Sequence, residues 1–577
     1  MNRILVGVVF LLMLPTVYAT NSIDIQNYDF NIHIFPTEHK FSARVVVDFK
    51  ALEDVDRADF LLNKDISISR IVDEGGEELL FERKDNDLSV FLPETLHAGD
   101  SGRIVFEYSG VSDTDFQSGK FVWGYIGQEG SYMIYEAVWY PLIWGDRATA
   151  RVSLTVPKGQ TAVTVGELTE VLDGTSTVTY VWDTHTPTRG ISFASGEYQK
   201  DTKTIFVKSC PHKFLEVTYY LYPEEFFRAE KSFRLSSDIL EFYSSTFGCY
   251  PYQKFSVVEI PEFFYGGHGD QGLIMLSAGI FRKNPAPEFI AHEVAHNWWG
   301  ALVFAKGEPS LRAVEKFSMI LTPPKQIRAA PREQNHWLLE GFATYSGVMY
   351  LEEKYGHKDM ISALEQKRKE YVSKVKELGD LPIVKVEEEY GGGLYHAVVY
   401  SKGALVLHML RYVVGDDVFL NIMKSFTANY GGKSASVDDF QKVCEKVSGR
   451  NLGWFFDQWV KGTTLPDYAV GGVVRDGQTV KVKIIQKGNQ TEMPIDVTLH
   501  TSEGDITKRI WMKNMEKEVV FKTSAKPISV EIDKDYWLLE SDKSNNLYPI
   551  SYPLNLEGIK LLLVRLHSLL DMLKPSF

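Results

Sequence analysis

Two spacings of apolar residues divide this chain. Between about residues 23 and 200 apolar and polar positions alternate, as in Ala43-Arg44-Val45-Val46-Val47-Asp48-Phe49 and Arg151-Val152-Ser153-Leu154-Thr155-Val156, with turn signals at Asp73-Glu74-Gly75-Gly76 and Asp173-Gly174. A period of two puts alternate side chains on opposite faces of a strand, so this stretch predicts an all-β unit. From about 215 the apolar spacing becomes helical, over 224–242, 288–299, 342–355, 360–378 and 418–429, with little strand expected between them. Past Trp459 short alternating runs return at 480–485 and 528–532, separated by the turn Glu503-Gly504-Asp505, and predict a small β-sandwich. No segment of twenty to fifty residues repeats. The expected class is multidomain α+β: leader 1–19, N-terminal all-β domain 20–203, mainly helical domain 204–463, β-sandwich 464–545 and short helical tail 546–577.

With 577 residues, 44% hydrophobic and 24% charged, the chain is globular and needs more than one core. The formal net charge of −14 argues against nucleic acid as the main partner. Three cysteines (Cys210, Cys249, Cys444), none in a CxxC pair, allow at most one bridge.

The start places basic Arg3 before eleven apolar residues (4–14), Pro15 and Val17-Tyr18-Ala19. That is the order of a secretory signal cleaved after Ala19, and it predicts an extracytoplasmic protein: secreted, periplasmic or at the cell surface. Eleven residues are too few to span a bilayer. The apolar tail at 561–570, broken by Arg565 and His567, fits either a cap on the last domain or an association with a membrane surface.

Candidate chemistry concentrates in Ala291-His292-Glu293-Val294-Ala295-His296-Asn297-Trp298-Trp299. Residues four apart share a helical face, so His292 and His296 can present two imidazoles to one Zn2+, with Glu293 turned towards the attacking water as its base. Two histidines and one carboxylate would leave a fourth metal position open. For that carboxylate two glutamates compete. Eighteen residues separate Glu315 from His296, the literal spacing of one zinc-peptidase group. Glu340 opens the run Leu338-Leu339-Glu340-Gly341-Phe342-Ala343-Thr344-Tyr345, but forty-three residues separate it from His296. Removing 309–333 restores the shorter spacing; that segment holds four prolines and five basic against two acidic residues, and reads as an inserted surface loop.

Together with Val399-Tyr400-Ser401-Lys402-Gly403-Ala404 and Phe455-Phe456-Asp457-Gln458-Trp459, these motifs resemble the gluzincin zinc metallopeptidases of the aminopeptidase N and leukotriene hydrolase type, over most of residues 25–545. The resemblance implies a saddle-like N-terminal β domain, a thermolysin-like catalytic domain and a third β-sandwich. It puts one zinc on His292, His296 and Glu340, the base on Glu293, and an oxyanion-stabilising phenol on Tyr400; Tyr395 and His396 would line the same cleft. It also implies peptide substrates, and an aminopeptidase first among the activities.

One motif departs from the family. Its aminopeptidases carry Gly-x-Met-Glu-Asn, whose glutamate binds the substrate amine; the matching stretch here is Gly266-Gly267-His268-Gly269-Asp270, with glycine at the glutamate position. The amine anchor then falls to Asp270, Glu262, Glu136 or nothing, and Gly269→Glu is expected to increase free-amine selectivity. An endopeptidase, or a peptidase without a strict free-amine requirement, is the alternative of the same chemistry; an inactive peptide-binding module is the alternative of another class.

Overall fold

The alternating N-terminal stretch folds as strands with one wet and one dry face. In Lys40–Ala51 the residues Phe41, Ala43, Val45, Val47 and Phe49 are buried, while Arg44 and Lys50 are exposed. The computed structural model describes residues 22–112, 117–118, 121–262, 266–282, 286–306, 334–386, 393–550 and 563–566. The leader 1–19, the 309–333 segment with Glu315, and most of the tail lie outside the described residues.

Seven strands build the larger N-terminal sheet, in the order Glu167–Asp173, Thr177–Asp183, Thr149–Pro157, Ile23–Phe35, Lys40–Ala51, Ser101–Val111 and Ser67–Asp73. Val45 lies opposite both Phe30 and Phe106 in register, which carries one apolar layer across the sheet. Trp139, fully buried, packs its ring at 5.6 Å from Phe30 and 5.2 Å from Phe193 of a second, four-stranded sheet.

The expectation of little strand after 215 is corrected by a five-stranded mixed sheet: Gln199–Phe206, Phe214–Leu221, Lys254–Ile260, Leu273–Ser277 and, on the edge, Gly267–Asp270. Tyr220, Val258, Ile260, Leu273 and Met275 join the N-terminal core, while Val217, Tyr219, Val257, Ile274 and Leu276 join the helical core behind. Strands dry on both faces lose their alternation, which is why no period marked them. A boundary at 203 is also corrected, because Gln199–Phe206 pairs along its length with Phe214–Leu221 and belongs to this sheet.

Behind the sheet lie the helices Ala229–Phe247, Pro287–Ala295, Glu340–Tyr355, His357–Leu378, Asp416–Tyr430 and the unexpected Gly403–Val414 and Val437–Ser448. Every residue of Gly403–Val414 except Arg411 is buried, so it has no polar face to set a helical period. The described helical stretch long and apolar enough to cross a membrane, His396–Val414, is this core element.

Two sheets follow, Tyr468–Asp476 with Thr479–Gln486 and Glu516–Lys522, then Gly504–Met512, Met493–Thr501, Pro527–Ile532 and Leu547–Pro549. The expected start of a helical tail at 546 is corrected: Leu547–Pro549 is a strand on Pro527–Ile532, and Asn546 is tied by its amide to the Ile532 carbonyl and Glu540. The multidomain α+β class is the one observed. Cys210 and Cys249 form the one disulfide the cysteine count allowed, while Cys444 is buried and free.

Candidate metal centre

Pro287 opens a helix of nine residues, its missing N–H costing nothing at a helix start. The helix is fastened along its length. Tyr243 donates its hydroxyl to the Ala291 carbonyl (3.0 Å), and the Asn297 amide oxygen accepts from Gly272 N–H (2.9 Å) and the Tyr250 hydroxyl (3.1 Å). Trp299 donates Nε1–H to Ser346 on the facing helix Glu340–Tyr355. The two helices can approach closely because Gly347 has no side chain: a Cβ there would stand 2.9 Å from the Glu288 carbonyl.

This approach brings three donors into one triangle. His292 Nε2 and His296 Nε2 lie 3.2 Å apart, and each lies 3.5 Å from Glu340 Oε2. Tetrahedral ligands about 2.0–2.1 Å from zinc stand about 3.3 Å from one another, so the triangle fits a single Zn2+. Both rings are fixed from behind. His296 donates Nδ1–H to the Trp299 carbonyl at 2.9 Å; His292 Nδ1 faces the Thr344 hydroxyl at 3.3 Å, which itself donates to the Glu340 carbonyl. Each Nε2 therefore turns its lone pair to the centre. Burial works to raise Glu340, but His296, His292 and a hydrogen bond from Tyr400 overcome it and hold the carboxyl at about 2.

Glu293 is buried, one residue round the helix from His292, and burial together with Glu340 pushes it up to about 7 against the opposing pull of His292 and His268. Its carboxyl rests on the edge strand, where a Cβ at Gly267 would come within 2.7 Å of Glu293 Oε1. Gly269 faces the same helix, with room for no more: a Cβ there would meet His296 Cβ at 2.8 Å and the Glu293 carbonyl at 2.9 Å. A glutamate at 269, expected to increase free-amine selectivity, would fit there only if the strand or His296 gave way.

Of the sequence-derived residues, His268 and Asp270 face away from the motif helix. His268 Nε2 lies 2.9 Å from Asp270 Oδ2 and 3.2 Å from the Ser192 hydroxyl, and its Nδ1 lies 3.9 Å from Glu136 Oε2. Burial disfavours the charged ring, yet Glu136 and Asp270 outweigh it and raise His268 to about 9. Glu262 pairs instead with Arg282 on the surface, at 2.8 Å. Glu136 Oε2 is buried with no hydrogen-bond donor among the described residues. Gly266 precedes the strand at φ +146°.

Tyr400 stands in a π-helical turn, His396–Lys402, that leads into Gly403–Val414; single π turns recur at functional sites. Its ring lies over His292, with centroids 5.9 Å and planes 14° apart, and against Tyr395 at 6.0 Å. The sequence reading did not find Thr344, Glu370, Ser192 or Arg189. Thr344 carried a signal, four residues past Glu340 on the same helical face; the others are distant in sequence from anything they touch.

The model of the peptidase family M1 domain matches residues 333–459, a span that starts beyond His296 and contains Glu340 and Tyr400. Aminopeptidase 2 of Candida albicans is 23% identical over 348 residues, 56% of this chain and 33% of that protein. Aminopeptidase N of Lactococcus lactis is 23% identical over 467 residues, 76% of this chain and 51% of that protein. The chain thus spans between a third and about half of these relatives. Among solved structures, the M1 zinc metallopeptidase of Deinococcus radiodurans matches with TM-score 0.62 at 21% identity, over 78% of this chain and 96% of that one. Aminopeptidase A of Legionella pneumophila, in complex with aspartic acid, matches with TM-score 0.72 at 16% identity, over 95% and 61%. The solved structures agree in fold, and the resemblance to gluzincin metallopeptidases read from the motifs is met by the family model and these relatives.

Proposed function

Taking this M1 gluzincin kinship as premise, we propose that the chain is an exported zinc peptidase acting first as an aminopeptidase. The observation that carries the reading is the 3.2–3.5 Å triangle of His292, His296 and Glu340 with buried Glu293 beside it. When bound, zinc would supply Lewis acidity to the scissile carbonyl and the attacking water. His292, His296 and Glu340 would hold the ion. Glu293 takes the proton from the water and passes it to the leaving amine. Tyr400 donates its hydroxyl to the oxygen on which negative charge develops. The Glu293 carboxyl lies against Gly267, in the space that a side chain at 267 would fill.

Glu136 anchors the substrate amine. Asp270 is already hydrogen-bonded by His268 and Glu262 by Arg282, whereas Glu136 Oε2, 3.9 Å from His268 Nδ1, accepts no hydrogen bond among the described residues. The pocket around it is not simply acidic, because charged His268 and the nearby Arg189 offset Glu136 and Asp270. Free-amine selectivity is therefore weak, and the second reading, a peptidase that accepts blocked or longer peptides, draws on the same feature and on Gly269. The retained Glu293 and Tyr400 speak against an inactive binding module. The leader at 1–19 supports export, and so does the Cys210–Cys249 bridge, since disulfides persist in oxidising compartments.

The test is hydrolysis of paired free and N-acetylated peptides by the full chain, with and without a chelator. Free peptides should be cleaved several-fold faster, with activity lost on zinc removal and regained on zinc addition. Hydrolysis that continues in the zinc-free protein would overturn the mechanism.

A further inference from the structure

Glu370, on the helix His357–Leu378, belongs to none of the motifs, yet its carboxylate grips the turn that carries Tyr400. His396 donates Nδ1–H to Oε1 at 2.6 Å, and the Ser401 hydroxyl donates to Oε2 at 2.7 Å. These donors stand four residues before Tyr400 and one residue after it. The His396 ring also lies flat on the Tyr400 ring, with centroids 4.5 Å and planes 20° apart. The phenol is thus packed ring on ring against an imidazole that Glu370 pins. Tyr395 adds a tie on the other side, its hydroxyl 2.9 Å from His336 Nδ1 in the turn before Glu340.

A π turn is rare beside an α turn, and a sparsely populated backbone arrangement persists where its surroundings over-determine it. A donor to a developing oxyanion gains its effect only if aimed before the reaction, and small misplacements cost large factors in rate. We propose that Glu370 and His396 are positioning residues for Tyr400: the carboxylate clamps the π turn on both sides of the phenol, and the imidazole fixes its plane. This rests on Tyr400 as the oxyanion donor, and the experiment separates the two.

Turnover, KM and bound zinc are measured for the full-length enzyme carrying His396→Ala, His396→Phe, Glu370→Gln, Tyr400→Phe, and the pairs of His396→Ala and of Glu370→Gln with Tyr400→Phe. His396→Ala should lower kcat about tenfold with KM within about twofold and zinc unchanged. His396→Phe, which keeps the stacked ring, should recover most of that loss. In the Tyr400→Phe background His396→Ala should change kcat less than about twofold, since a residue acting through Tyr400 has nothing left to position. Equal losses in both backgrounds would overturn the inference while leaving Tyr400 as donor, as would a raised KM at normal kcat. Normal kcat in Tyr400→Phe would overturn the donor itself. Should His396→Ala fail to fold, Glu370→Gln carries the same cycle.

Discussion

At Gly269 a single missing Cβ decides what can be built beside the metal donors. Adding a methyl there forces His296 and the Glu293 backbone apart, both already within 3 Å of the ideal Cβ position. Overpacking of this kind costs about 1–3 kcal/mol, so Gly269→Ala is expected to weaken zinc binding by about tenfold, read by competition with a chromogenic chelator. Zinc affinity equal to wild type would show that the strand can yield. Glu293→Gln, by contrast, keeps shape and removes only proton transfer. Turnover should fall at least about a hundredfold while one zinc per chain is retained. Glu340→Ala should lose metal and activity together, because two imidazoles alone hold zinc weakly, whereas Glu315→Ala should retain both; zinc content measured on the two variants decides between the glutamates.

Between elements, the contact of greatest consequence is that of Pro287–Ala295 with Glu340–Tyr355, which joins two ligands to the third. Gly347→Ala would push a methyl onto the Glu288 carbonyl at 2.9 Å, separating the helices by a few tenths of an ångström. The expected result is a Tm lower by about 2–6 °C and weakened zinc binding, measured by thermal denaturation with and without added zinc. An unchanged Tm in both would mean the helices slide without loss. Legibility in the sequence followed exposure. Lys40–Ala51 betrayed itself because one face is wet, while Lys254–Ile260 and Gly403–Val414, dry all round, had no contrast to show. The metal site was legible where its spacing is local: His292, Glu293 and His296 fall within one helical turn or so. Glu340 needed a guess about the 309–333 segment, and Glu370, 26 and 31 residues from His396 and Ser401, left no trace that spacing could reveal.

Across the whole molecule, the mixed sheet is the wall between the N-terminal core and the helical one, and it carries a buried acid. Glu259 lies within Lys254–Ile260, fully buried, and burial raises it to about 7 against the opposing hydrogen bond from Tyr222 N–H. A carboxyl raised in the fold contributes stability that is fully present below its unfolded value near 4.5 and is lost as pH rises through about 7. Glu259→Gln should therefore match wild type near pH 4, gain on it as pH rises towards 7, and melt about 2–4 °C higher at pH 8.5. A Tm difference that does not change with pH would count against a buried proton there.

The helical core does not stop at the last catalytic helix. One apolar cluster runs from Ile205 through Trp298 and Phe342 to Val482, Val497 and Leu539 of the C-terminal sheets. Leu539 N–H reaches Met409, and Trp537 stacks on His408 with centroids 4.5 Å apart. Elements that share a core lose their order together. Heating should accordingly melt the metal-binding helices and the terminal sheets in a single calorimetric transition, and a chain cut near 464 should yield an aggregate with bared Met409 and Tyr412 rather than a minimal peptidase.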